Sequence, residues 1–302
     1  MPTFSETARA ARDATIELRA AGPADAEACA RILYDAFGAI HDRHRFERDF
    51  PTLEAARQLA SAFIAHPLIW AVVAECDGQV VGSNFLDERG LIRGLGPVTV
   101  DPRAQGQGIG RRLMRAALER SEGATGIRLF QDSFNVGSLS LYASLAFEVK
   151  ESAVVINGRP RSDPPPDVEL HPLAETDLSE CEELCLRVHG FERTTELRDA
   201  IKAPVLSPFV AVRDGRITAY ATTLTFFPAA HGVAESEADM RALILGALAA
   251  ADQPASFLLP TRQAGLFRWC LAEGFRVVKP MTYMAIGAYQ KPSGCWIPSV
   301  LY

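Results

Sequence analysis

Nowhere in the 302-residue chain do eighteen apolar residues run together, so no stretch reads as a membrane span. A basic excess is missing as well: 31 Lys and Arg stand against 37 Asp and Glu, a net charge of −6. Without a broad cationic surface to displace counterions from phosphates, nucleic acid is excluded as a partner. Paired cysteines are absent. The six present (Cys29, Cys76, Cys181, Cys185, Cys270, Cys295) form no C-x-x-C, and Cys181 and Cys185, one helical turn apart, have no His or Cys at metal-ligand spacing. Free thiols in a reducing cytoplasm, and no metal, are the expectation. The first fourteen residues are rich in Ala and Arg and have no apolar core, so residues 1–14 read as a flexible tail and not as a signal peptide. What is present, 48% hydrophobic and 23% charged residues, is the composition of a soluble globular protein, and the length suits two domains.

The richest stretch runs from Val98 to Leu118, VTVDPRAQGQGIGRRLMRAAL. A β-branched run, Val98-Thr99-Val100, ends at Asp101-Pro102. A glycine turn follows, Gln105-Gly106-Gln107-Gly108-Ile109-Gly110, and then a helix with apolar Ile109, Leu113, Met114, Ala117 and Leu118. Strand, glycine turn and helix start together make an anion site, because the backbone can approach a phosphate and the N–H groups of the positive helix end point at it. A Walker loop needs Gly-Lys-Ser/Thr, but Arg111-Arg112 follows Gly110. A dinucleotide fingerprint needs G-x-G-x-x-G, but the spacing is G-x-G-x-G.

The pattern Gln105-x-x-Gly108-x-Gly110 after V-x-V-x-P resembles the GNAT superfamily of acyl-CoA-dependent N-acetyltransferases, in which this loop holds the pyrophosphate of CoA. A second run, Asn135-x-x-Ser138-x-x-Leu141-Tyr142-x-x-Leu145-Ala146-Phe147, is similar to the family segment beside the pantetheine arm, and departs from it at Ala146, where glycine is usual. The resemblance implies acetyl-CoA as cofactor. Its contacts would come from Val98, Thr99, Val100, Gln105, Gly106, Gln107, Gly108, Ile109, Gly110 and Arg111, and from Asn135, Ser138 and Tyr142.

The order of elements along the chain fits the same family. A strand at Ile16–Ala21 is followed by a helix closed by Gly38 and a second over Leu53–Ala65. Strands over Leu68–Glu75 and Gln79–Phe85 form a hairpin across Asp77-Gly78. After the glycine loop and its helix come a strand at Ile127–Gln131, a helix at Asn135–Ala146 and a strand at Phe147–Ile156. Arg159–Asp167, with four prolines in nine residues, reads as a stiff linker. Beyond it the pattern restarts, with helices at Glu175–His189, Phe191–Ile201 and Glu235–Ala250 and a hairpin of Phe209–Val212 with Ile217–Phe227. This half resembles a second, degenerate GNAT domain, in which Pro228–Gly232 replaces the glycine loop. The expectation is therefore α/β (α+β), two tandem GNAT-like domains, each a mixed, mostly antiparallel sheet flanked by helices. Residues 15–158 are catalytic, 159–167 a linker, 168–289 the degenerate domain and 290–302 a tail. An unrelated α+β fold is the alternative for the second half.

Acyl transfer to an amine requires a held cofactor, a base for the amine, donors for the oxyanion and an acid for the leaving thiolate. Backbone N–H groups of Val98–Val100 serve as oxyanion donors and Tyr142 as the acid under the family resemblance. The base has no motif. Asp87 and Glu88 at a strand end are candidates, as are His41 and His44, in a run (His41–Arg45) that otherwise reads as a solvated helix face. The sequence thus points to transfer of an acetyl group to a primary amine of a small molecule or peptide by direct attack, in a monomer or homodimer. A non-catalytic acyl-CoA-binding or interaction protein is the alternative. The apolar tail, with Trp296, Ile297, Val300, Leu301 and Tyr302, is expected to dock in a groove, either at the first site or on its own domain or a dimer partner.

Overall fold

A computed structural model describes residues 16–301; the expected tail 1–14 and Tyr302 lie outside the described residues. The first half runs β1 (Ile16–Ala20), α1 (Ala26–His44), α2 (Leu53–Ala65), β2 (Ile69–Cys76), β3 (Gln79–Asp87), β4 (Ile92–Leu95), β5 (Thr99–Val100), α3 (Ile109–Arg120), β6 (Gly126–Asp132), α4 (Val136–Ala143) and β7 (Glu148–Gly158). The second continues with β8 (Glu169–Pro172), α5 (Leu178–His189), α6 (Thr194–Lys202), β9 (Phe209–Arg213), β10 (Arg216–Ala221) and β11 (Gly232–Ala234). It ends with α7 (Glu237–Ala249), β12 (Ala255–Pro260), α8 (Ala264–Ala272), β13 (Arg276–Gly287) and β14 (Cys295–Ile297). None of the helices among the described residues is long and apolar enough to cross a membrane. The chain forms two compact units, one of residues up to Glu88 with Leu95–Gly123, the other of Arg89–Gly94 with Ala124 onwards.

In the first unit β1, β2 and β3 pair antiparallel, and β5 adds a short rung to β3. Asp77 and Gly78, both at positive φ, turn the β2–β3 hairpin as the Asp-Gly signal requires. The strand period of two sorts β2 between helices. Val73 packs with Cys29, Ala30 and Leu33 of α1 and Ala56 and Ala60 of α2, while Val72 and Ala74 pack with Ile109 and Leu113 of α3. Gly82 of β3 lets α3 and β5 come close: a Cβ there would stand 2.9 Å from the Thr99 carbonyl oxygen and 3.1 Å from Leu113. Gly38 does not close α1. The helix passes through it to His44, with the Arg48 guanidinium over the bare position, and the stop comes at Arg45 in the left-handed region. His41 is consequently buried and not on a solvated face.

The second unit holds two sheets. One is ordered β4-β6-β13-β7-β12, parallel only between β4 and β6; the other is β14-β11-β10-β9-β8, antiparallel throughout. The mixed, mostly antiparallel character is as expected. β13, from near the chain end, lies between β6 and β7 and pairs with both. Ile156, Phe257 and Leu259 share a core with Ala219 and Ala221 of the other sheet and Met240, Leu243 and Ile244 of α7. Several expected elements are shorter, among them α4, which ends at Ala143, and α5, which begins at Leu178. α6 begins at Thr194, and β10 ends at Ala221, after which the Thr222 hydroxyl and amide turn the chain onto His231 and Ala229. The proline segment is held in place: the Arg161 and Ser162 amides and the Ser162 hydroxyl donate to Glu273 at 3.0, 2.9 and 2.8 Å.

The tail packs on its own unit. β14 pairs with β11, and the Gln263 amide brackets Trp296 by donating to its carbonyl at 2.7 Å and accepting its N–H at 2.9 Å. Ser299 accepts from Arg193 at 3.1 Å, the Val300 amide donates to the Pro228 carbonyl at 3.1 Å, and the Leu301 backbone lies against Gly94.

Candidate active site

The glycine loop is built in the first unit. Asp101 takes the Arg103 amide on Oδ1 at 2.9 Å, an Asx turn that stops β5, and the Arg103 guanidinium beside it holds the carboxyl below the usual range. Gln105 turns its side chain inward and donates to the Val100 carbonyl at 3.1 Å, tying the loop to the end of β5. Gly106 and Gly108 follow at φ +82° and +80°, conformations that disfavour residues with a Cβ. An ideal Cβ on either would meet nothing within 4 Å, so the space above the loop is open to a ligand.

Gly108 is also the N-cap of α3, and no side chain caps it. The first-turn N–H groups, including those of Ile109 and Gly110, have no intrahelical acceptor, and the first helical bond closes only at Arg112 N to Gly108 O, 3.1 Å. Ile109 is buried and fixes the helix start, while Gln105, Gly106, Gln107 and Gly108 are exposed. Arg111 and Arg112 add positive charge in the same turn. Glycine cradle, open helix end and cations fit a pyrophosphate. β5 carries Thr99 and Val100 opposite Ser83 and Gly82, and the Thr99 and Ser83 hydroxyls meet at 3.0 Å.

The base candidates differ in environment. Glu88 has both carboxylate oxygens on Arg120, at 3.0 Å each. Asp87 is buried at the end of β3, opposite Ile69. His41 is fully buried; its Nδ1 donates to the Phe37 carbonyl at 2.7 Å and its Nε2 faces Asp49 at 3.4 Å, so its polar atoms serve α1 and the segment after it. His44 is exposed on the last turn of α1. The Asp101–Arg103 brace and the Arg120 clamp on Glu88 were not foreseen; an Asp-Pro-Arg turn immediately before the glycines was the available signal for the first.

The second motif belongs to the second unit. Asn135 caps α4, its Oδ1 accepting from the Ser138 amide at 3.2 Å. Tyr142 is buried with its ring 6.1 Å from that of Phe147, and desolvation pushes its phenol up to about 12. Ala146 takes the left-handed conformation, φ +69°, that glycine would supply.

The matching helix start of the second half is closed. Ser236 caps α7, accepting from the Asp239 amide at 3.2 Å, and Glu237 and Asp239 place negative charge in its first turn. An anion is repelled where α3 would attract one.

Residues 67–149 match a family model described as an acetyltransferase (GNAT) domain. Over nearly its whole length the chain is similar in fold to solved structures. It is similar to a Pyrococcus horikoshii protein assigned as an acetyltransferase, with 18% identity over 90% of this chain and 89% of that one, TM-score 0.68. A GCN5-related N-acetyltransferase from Sphaerobacter thermophilus gives 15% identity over 91% and 96%, TM-score 0.62. A tandem GNAT protein from the clavulanic acid biosynthesis pathway gives 15% over 91% and 100%, TM-score 0.59. No curated protein sequence matched.

Proposed function

We propose that the protein is an N-acetyltransferase that passes an acetyl group from acetyl-CoA to a primary amine of a small molecule or peptide by direct attack. The observation that carries this reading is the uncapped start of α3 behind Gly106 and Gly108. Bound acetyl-CoA supplies the activated thioester. The loop amides from Gly106 to Arg111 hold its pyrophosphate, and Val98–Val100 offer backbone N–H groups to the carbonyl oxygen. Asn135 and Ser138 attend the pantetheine arm. Tyr142 hydrogen-bonds the departing sulfur. Asp87, buried at the end of β3, and Glu88, paired with Arg120, are the base candidates.

Calorimetry with CoA, and thiol release with acetyl-CoA and a panel of amines, test this reading. One CoA per chain is expected. Gly108→Val should lose binding while keeping its far-ultraviolet spectrum, since a β-branched residue at φ +80° costs at least ~1–2 kcal/mol and its side chain enters the phosphate space. A wild-type chain that ignores CoA overturns the proposal. Binding without thiol release from any amine supports the non-catalytic alternative.

A further inference from the structure

Lys279 of β13 is only 1% exposed, and its ammonium meets the carboxylate of Asp132, the last residue of β6, at 2.6 Å. Asp132 is buried as well, and the ring of Phe227 lies 5.3 Å from the ammonium. Removing both charges from water costs about as much as their attraction returns, and apolar residues of similar volume often serve stability as well or better. Such a pair is better suited to fixing a position. The register of β13 against β7 shifts between Val277 and Lys279 and again between Tyr283 and Met284, whereas its ladder with β6 is regular from Gly126 to Asp132.

The pair stands at the foot of the second motif. The Asn135 amide donates to the Asp132 carbonyl at 2.9 Å, and the Asn135 side chain in turn accepts the Ser138 amide at 3.2 Å. Ser138 lies one turn before Tyr142 on α4. Desolvation raises the Tyr142 phenol, a hydrogen bond from the Ser138 side chain lowers it, and the Asp132 charge raises it again. Contacts therefore run without a gap from the ammonium to the phenol, through Asp132, Asn135 and Ser138. Packed and hydrogen-bonded chains of this kind carry coupling between separate residues. The far end of this one, Lys279, belongs to the second half of the chain.

We propose that Lys279 is a positioning residue for Tyr142: by holding Asp132 it fixes the start of α4, and with it the place of the phenol at the departing sulfur. This rests on the acyl-CoA reading, under which Tyr142 meets the leaving group. It gives the second half of the chain a part in the reaction even though its own helix start is closed to anions.

The test is a double-mutant cycle on the full chain. Thiol release is measured with acetyl-CoA and the most active amine of the panel, and CoA affinity by calorimetry. Lys279→Met, which keeps the length and removes the charge, should lower kcat about ten-fold, as a small misplacement of a reacting group does, with CoA affinity kept within about three-fold. In a Tyr142→Phe background the same change should cost less than about two-fold, because the hydroxyl it positions is gone. If Lys279→Met melts below the assay temperature, Asp132→Asn, which keeps the volume and removes the other charge, takes its place in the cycle and must give the same pattern. An unchanged kcat, or an equal loss with and without the Tyr142 hydroxyl, overturns the inference. A wild-type chain that ignores CoA removes the acyl-CoA reading and this inference with it, whereas wild-type turnover in Lys279→Met beside normal CoA binding removes the inference alone.

Discussion

Glu88 and Arg120 meet two-fold, each carboxylate oxygen accepting one guanidinium N–H at 3.0 Å. Both oxygens of that carboxylate are taken up by the guanidinium, and the pair ties the last turn of α3 to the end of β3. Glu88→Gln should therefore leave thiol release within about two-fold of wild type. Because Arg120 is half exposed, the stability loss should stay below ~1 kcal/mol. Asp87→Asn should instead lower turnover at neutral pH by about 10²-fold or more. A collapse of activity in Glu88→Gln with Asp87→Asn unaffected would exchange the two roles.

Tyr142 keeps its proton far above neutral pH, because desolvation lifts the phenol to about 12. Full transfer to a thiolate of ordinary pKa, ~8.5, is uphill by roughly 5 kcal/mol. The hydroxyl therefore acts chiefly as a hydrogen-bond donor to the leaving sulfur. Tyr142→Phe should reduce kcat by about 10²-fold, the low end for an acid, with CoA affinity kept. Wild-type turnover in the variant would take Tyr142 out of the reaction.

Ala146 sits at φ +69° on the exposed turn after α4. Relief of the left-handed strain, ~1–2 kcal/mol, outweighs the extra freedom glycine gives the unfolded chain, ~0.5–1 kcal/mol. Ala146→Gly should raise the melting temperature by a degree or two and leave kinetics alone. Differential scanning calorimetry reads the sign directly.

Acid should destabilise the second unit through its buried histidines. Burial lowers His189 from 6.5 to about 3, and lowers His231 well below its ordinary value, with Arg193 a further cause for both. Arg193 donates to His231 Nδ1 at 3.1 Å, so that atom must accept, and Nε2–H points to the Tyr220 hydroxyl at 3.1 Å. Between pH 6.5 and about 3 the unfolded chain binds protons that the folded chain does not, so stability falls as pH falls through this window. The slope is up to ~1.4 kcal/mol per pH unit for each histidine, and stability is fully present above pH 6.5. Denaturant midpoints measured from pH 7 to 4 should show it, and His189→Gln should flatten the slope. An unchanged slope would mean that His189 is protonated in the fold.

What the sequence reveals is local. Asp77-Gly78, the glycines after Asp101-Pro102 and the Asn135 cap each announce their structure within a few residues, because turn and cap chemistry is short-range. Gly38 misleads for the complementary reason: a lone glycine weakens a helix without ending it, and the flanking residues carry α1 on to His44. The clamp on Glu88 joins residues of separate elements, and the register of β14 on β11 depends on Gln263 reaching Trp296. No window along the chain contains those pairs. The acceptor amine is the extreme case, since its selection rests on loops that share no motif.

The placement of β13 sets a timetable for synthesis. β6 and β7 are complete by Gly158, but the strand that separates them begins only at Arg276. At ribosomal rates the two strands wait on the order of ten seconds with facing edges open. Premature pairing of β6 with β7 is the trap this invites, and escape from it must await the synthesis of Arg276–Gly287. The yield of folded chain should thus depend on growth temperature and chaperone supply.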